Sequence, residues 1–208
     1  MDWPTIASLG TAIGTLVLAI ATFVSVVSGR RAARVAERAL LARTQPILAP
    51  SRTQDPETKI GFQDNHFVRA AGGAGIVEVT ESVIYMAISV RNVGPGLAVL
   101  HSWSASALDL VSVNDHADLN TFHRLTRDLY VPVGDIGFWQ GALRDPTTEE
   151  FATIAKAASQ KQRITVDILY GDHEGGQRVI TRFLLTPHDE QWLATVARYW
   201  NIDRADPR

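Results

Sequence analysis

The stretch VIYMAISVRN, residues 83 to 92, decides the fold class. Ile84, Met86, Ile88 and Val90 fall on one face of an extended chain, and Tyr85, Ala87, Ser89 and Arg91 on the other. Successive side chains of a strand point to opposite sides, so this alternation reads as a β-strand with a buried face. It runs into NVGPG, where two glycines and a proline mark a turn.

The same period extends in both directions. Upstream, PILAPS is an edge strand bracketed by Pro46 and Pro50, and SRTQDPETK is a polar connector. AAGGAG, residues 70 to 75, is a loop. It lacks the G-x-G-x-x-G spacing, and the IVEVTESV that follows alternates like a strand, so it is not a phosphate loop. Downstream, LAVLHSWSASALDL stays extended, with Val99, His101 and Trp103 expected on one face. YVPVGDIGFWQGAL, residues 130 to 143, reads as a strand with a bend. RITVDILYGDHEGGQRVITRFLL is a hairpin around the loop Gly171 to Gly176.

Two segments follow a helical period. DPTTEEFATIAKAASQK sets Thr147 and Glu150 at capping-box spacing and Phe151, Ile154, Ala155 and Ala158 along one face. PHDEQWLATVARYWNID sets Trp192, Val196 and Tyr199 at i, i+4 and i+7, with Leu193 and Trp200 beside them, which predicts a C-terminal helix. The expected fold is therefore mainly β: an antiparallel, immunoglobulin-like β-sandwich of about six to eight strands with one inserted helix and a C-terminal helix. The chain has no cysteine, so it is not a true immunoglobulin domain, and disulfides, thiolate metal sites and cysteine nucleophiles are excluded.

Ahead of this domain stands a different solvent. From Trp3 to Gly29 there is no charged residue, and the apolar run from residue 6 to 28 is 23 residues long. A helix of that length spans roughly 34 Å, enough for a hydrocarbon core of about 30 Å. The start is acidic, MDW, and the run is longer than a signal peptide's, so it reads as an uncleaved transmembrane anchor over residues 1–29. Residues 30–45 form a basic juxtamembrane helix, and Arg30, Arg31, Arg34 and Arg38 share an arc of about 100°. Residues 46–208 form the β-sandwich-like soluble domain. Short basic flanks stay cytoplasmic, so the N-terminus is expected outside and the soluble domain in the cytoplasm, at the plasma membrane. Trp3 and the four arginines are the expected membrane-interface residues. Gly10 and Gly14 make a G-x-x-x-G pair suited to helix association and a homodimer.

Residues 30–43 carry five arginines against Glu37, a net of +4, whereas residues 44–208 hold 15 basic and 20 acidic side chains, a net of −5. An acidic body argues against nucleic acid as a partner and leaves membrane lipids and an unknown protein partner. Six histidines are present, none in H-E-x-x-H or H-x-x-x-H spacing. No G-x-S-x-G or Walker pattern occurs, so no catalytic residue, metal site or cofactor is assigned.

A single membrane helix, a basic juxtamembrane segment, a PxLxPS-like strand and ISVRNVGPGLAV together resemble a loose group of bacterial, actinobacterial-type single-pass membrane-anchored proteins with a β-sandwich-like cytoplasmic domain. Such proteins carry an Asn-x-Gly-x-Gly-Pro-Ala-like turn after a strand. Asn92, Gly94 and Gly96 match it, although Pro95 precedes the second glycine. The closing hairpin ILYGDHEGGQRVITRFLL is similar as well. The resemblance implies no catalytic residue. The expected role is a non-enzymatic interaction or scaffold module at the cytoplasmic face. The alternative is a membrane-attached hydrolase or metal-dependent enzyme using His116, His123 or His173 with Asp115, Asp118 or Asp172.

Overall fold

The computed structural model describes residues 3–108, 112, 114–189 and 191–204, with the side chains of residues 3–11 left out. The chain forms two compact units, divided between Arg43 and Thr44.

The first unit is one uninterrupted helix. α1 runs Trp3–Thr44, 42 residues, and Gly29 does not break it. By length and composition it is able to cross a membrane, and no residue of its apolar window is buried. Within it the Thr22 hydroxyl donates to the Leu18 carbonyl at 2.8 Å, so this polar group is satisfied inside its own helix. Trp3 and Gly10 lie in the turns whose side chains are outside the described residues. A Cβ on Gly14 or Gly29 would meet nothing within 4 Å. Arg30, Arg31, Arg34 and Arg38 are exposed.

The second unit is a curled antiparallel sheet. Its strands are β1 (Leu48–Pro50), β2 (Thr58–Gly61), β3 (Phe67–Ala70), β4 (Ala74–Val79), β5 (Ile84–Asn92), β6 (Ala98–Ala107), β7 (His123–Val131), β8 (Ile136–Leu143), β9 (Ile164–Gly171), β10 (Val179–His188) and β11 (Gln191–Asn201). Nine strands form the main sheet in the order β1-β5-β4-β11-β10-β9-β6-β7, with β8 on the other side of β5; β2 and β3 form a separate hairpin. β4 and β1 share one edge of β5: β4 pairs with residues 84 to 88 and β1 with residues 90 to 92. The strand expected from residues 130 to 143 is the β7–β8 hairpin, turned through Gly134 at φ +73°.

The curl encloses the core. Ile84, Met86, Ile88 and Val90 face Ile164, Val166, Ile168, Tyr170, Phe183 and Leu185 in one buried cluster. α2 (Glu149–Ser159) closes part of it with Phe151, Ile154 and Ala157. Its N-cap is Thr148, one residue after the Thr147 expected from capping-box spacing, and its hydroxyl accepts from Phe151 N. The opposite face of β5 is buried too, because the β2–β3 hairpin lays Ile60, Phe62 and Val68 over Tyr85 and Ala87.

Two expectations are corrected. The predicted C-terminal helix is the strand β11, paired with β10 from Val179↔Asn201 to His188↔Gln191. A bulge leaves Ala197 unpaired between Arg182↔Arg198 and Phe183↔Val196. Trp192, Ala194 and Val196 alternate onto one face, and the extra residue moves the next member from i+6 to i+7, which is Tyr199. Strand alternation plus one bulge thus reproduces the i, i+4, i+7 pattern of a helix. A second bulge lies between Leu100 and Ser102. It turns His101 outward and puts Trp103 on the core face with Leu100, so Val99, His101 and Trp103 do not share a face.

Candidate functional site

The NVGPG turn is a dock for the first residues of the second unit. Asn92 is fully buried. Its Nδ2 donates to the Gly96 carbonyl at 2.6 Å and the Val131 carbonyl at 3.0 Å, and its Oδ1 accepts from Gly94 N at 3.0 Å and Ile47 N at 3.3 Å. The amide is thereby saturated. A Cβ on Gly94 would stand 2.5 Å from Gln45 O and Ile47 N, and one on Gly96 would run into the Thr44 carbonyl. Both glycines let two backbones touch, so Asn92, Gly94 and Gly96 act together as the seat of residues 44 to 47.

Other elements hold the same segment. Gln177 Nε2 donates to Thr44 Oγ1 at 2.7 Å and to Asp172 Oδ2 at 3.0 Å. Gln45 Nε2 bonds the Tyr199 hydroxyl and, at 3.3 Å, Asn201 Oδ1. Leu48 N donates to the Tyr170 hydroxyl at 3.0 Å, and burial pushes that phenol's pKa far above its ordinary value.

A cavity of about 180 Å³ lies beside β7. β7 pairs with β6 at Ser102↔Arg124 and again at Leu100↔Leu129, so residues 125 to 128 bulge away from β6. From the bulge Arg127 reaches across to Gln140 Oε1 at 2.9 Å and the Gly61 carbonyl at 3.2 Å. The cavity is lined by Trp103 and Gly141, by Arg124 and Thr126, and by Gln140 and Arg144, among others. Gly141 is required there: a Cβ would meet Trp103 at 2.7 Å. His123 packs its ring 4.8 Å from Trp103, and its Nε2 meets Glu150 Oε2 at 2.7 Å. That carboxylate raises the His123 pKa. Arg144 donates to Asp64 Oδ2 at 2.6 Å, as does the Tyr85 hydroxyl, and the two hold Asp64 well below the usual carboxylate range.

The histidines proposed from sequence separate. His116 Nδ1 contacts the Ala117 carbonyl at 2.7 Å, and its ring meets Trp200 edge-on. With Asp115 and Glu150 it lines a polar groove of about 400 Å³, together with Ser104, Ser106 and Ser112. His123 bonds the same Glu150. Asp118 caps a 3-10 turn, Leu119–Thr121. Asp172 is buried, accepts from Gly176 N at 2.9 Å and shapes the β9–β10 loop that carries the exposed His173. Among the described residues no three His, Cys, Asp or Glu side chains are grouped to hold a metal ion.

Trp103, Arg124, Gln140 and Arg144 carry no local signal that would single them out. They come from β6, β7, β8 and the segment after β8, and only the fold assembles them.

No protein-family model matches the chain, and no curated protein matches it. Among solved structures it is similar to a crystal structure of Se-Met labelled β-glucosidase from Kluyveromyces marxianus, at 14% identity over 62% of this chain and 13% of that one, with a TM-score of 0.23. Neither fold nor activity follows from a likeness at that level.

Proposed function

We propose that the chain is a single-pass plasma-membrane protein whose N-terminus faces outward and whose second unit works in the cytoplasm as a non-enzymatic interaction or scaffold module. The observation that carries this is the uninterrupted helix α1, apolar over its first two thirds and studded with Arg30, Arg31, Arg34 and Arg38 after Gly29. Placing Arg at the membrane centre costs about 2.5–3.5 kcal/mol on the insertion scale, so these residues resist translocation. The residues given before the apolar run carry Asp2 and no Arg or Lys.

The same arginines face anionic lipid headgroups, each adding about 1 kcal/mol near the surface. A protein is the partner of the second unit, whose net charge is negative. A second copy pairs through Gly10 and Gly14. The actinobacterial-type resemblance supports the same architecture. The alternative, a hydrolase or metal-dependent enzyme, draws on the groove of Asp115, His116 and Glu150 alone, since His173 lies at another loop.

The experiment is a topology assay. A reporter active only in the cytoplasm, fused after Arg208, is expected to work, and an exterior-only reporter is not. Neutralising Arg30, Arg31, Arg34 and Arg38 while adding lysines after Met1 inverts or mixes the orientation. A wild-type C-terminus open to protease on intact cells would overturn the reading.

A further inference from the structure

We propose that the cavity under the β7 bulge binds a small oxyanion, a phosphate or carboxylate group, between Arg124, Arg144 and Gln140. Three observations carry it, and none depends on the membrane topology.

The first is charge. The residues lining the cavity include Arg124, Arg144 and His123 and no Asp or Glu. The surrounding chain, residues 44–208, has a net charge of −5. The other described cavities are lined differently: one pairs Lys161 with Asp189, and two hold Glu150. Asp64 pairs with Arg144 and Glu150 with His123, so Arg124 is the uncompensated charge, and the walls of Trp103, Phe62 and Leu125 focus its field on an incoming anion.

The second is unused donor capacity. Arg124 pairs through its backbone with Ser102, and its side chain makes no hydrogen bond or ion pair among the described residues. Arg144 spends Nη1 on Asp64 and keeps its remaining N–H groups. Gln140 is 6% exposed, its oxygen accepts from Arg127, and its amide nitrogen has no partner among the described residues. The Gln140 amide nitrogen, open to solvent, and the free N–H groups of the two guanidinium groups make a donor set at the cavity wall. The Thr126 hydroxyl adds one more at the wall.

The third is construction. The bulge at residues 125 to 128 opens the space, and the missing side chain of Gly141 seats Trp103 against its floor. Arg127, bonded to Gln140 and Gly61, ties the bulge across the top. A volume of about 180 Å³ admits a small anionic group and not a nucleotide.

The test uses the full chain in a non-ionic detergent, in a buffer free of phosphate and carboxylate. Inorganic phosphate and acetate are titrated separately by calorimetry against wild type, Arg124→Gln and the remote control Lys161→Gln. Arg124 is exposed, so its variant folds; an unchanged urea midpoint checks this. The expected result is saturable binding of one anion or both, weakened roughly tenfold by Arg124→Gln and unaffected by Lys161→Gln. The arm that binds more tightly identifies phosphate or carboxylate as the natural group. Absence of binding in both arms, or equal binding by wild type and Arg124→Gln, overturns the proposal.

Discussion

Arg182 on β10 and Asp167 on β9 are register partners, and the guanidinium forks the carboxylate at 2.6 and 2.7 Å with both side chains 4% exposed. The pair also captures the loop after β6. Arg182 donates to the Ser112 and Asp115 carbonyls, and Asp167 accepts from Ala117 N at 3.1 Å. Trp200 lies beneath the guanidinium, 4.9 Å from ring centre to Cζ. Removing one partner strands a buried charge, so Arg182→Met is expected to cost about 3–5 kcal/mol. The double variant Arg182→Met/Asp167→Leu recovers part of that loss. Urea midpoints of wild type, Arg182→Met, Asp167→Leu and the double variant measure both terms, and a single variant as stable as wild type would contradict the assignment.

The Asn92 dock is expected to be as sensitive. Asn92→Ala leaves two buried carbonyls and two amide N–H groups without their partner. At about 1–3 kcal/mol for each unsatisfied group, a loss of at least ~3 kcal/mol is expected. Gly96→Ala drives a methyl into the Thr44 backbone and prevents native docking of that segment. Gly134→Ala is the contrast: its φ is +73°, but a Cβ there meets nothing within 4 Å. It should cost only about 1–2 kcal/mol. Thermal melts of the three variants are expected to separate on that basis.

His123 predicts a pH dependence. Glu150 raises its folded pKa above the unfolded value of about 6.5. A raised histidine pKa stabilises the fold fully below the unfolded pKa, and that contribution disappears as pH rises through the folded pKa. His101 works in the opposite sense, since partial desolvation and the Arg178 charge lower its pKa. The discriminating quantity is therefore the difference in melting temperature between wild type and Glu150→Gln. It should be largest near pH 6 and shrink steadily towards pH 9. A difference that stays constant across this range would exclude the pair as its source.

Gly10 and Gly14 predict self-association. If both lie at a helix seam, replacing them with leucine weakens chemical cross-linking of the full chain in native-like membranes. A leucine pair at residues 16 and 20, where the chain already carries Leu16 and Ile20, serves as the neutral comparison. Unchanged cross-linking in the Gly10→Leu/Gly14→Leu chain would remove this seam.

The boundary between what was legible in sequence and what was not follows interaction range. The alternation of Ile84, Met86, Ile88 and Val90 and the uncharged run up to Gly29 are local periods, and a local period needs only the chain's own geometry to become a strand or a helix. The strand β5, the β9–β10 hairpin, the helix α2 and the long apolar helix all follow from that reading. The asparagine and glycines of NVGPG were also visible, but only as a turn, because the backbone they receive lies more than forty residues earlier. The bulges at His101 and Ala197 belong to pairs of strands and leave no mark on one strand alone, so the first changed a facing inferred from spacing and the second imitated a helical period. Burial of Tyr85 and Ala87 needed the β2–β3 hairpin laid over them. The basic cavity needed most of all: Trp103, Arg124, Gln140 and Arg144 meet only because β7 leaves β6 over residues 125 to 128 and reaches β8 through Arg127. Chain-local periodicity determined the elements, and long-range packing, which closes loops the periodicity cannot see, decided which side chains share a site.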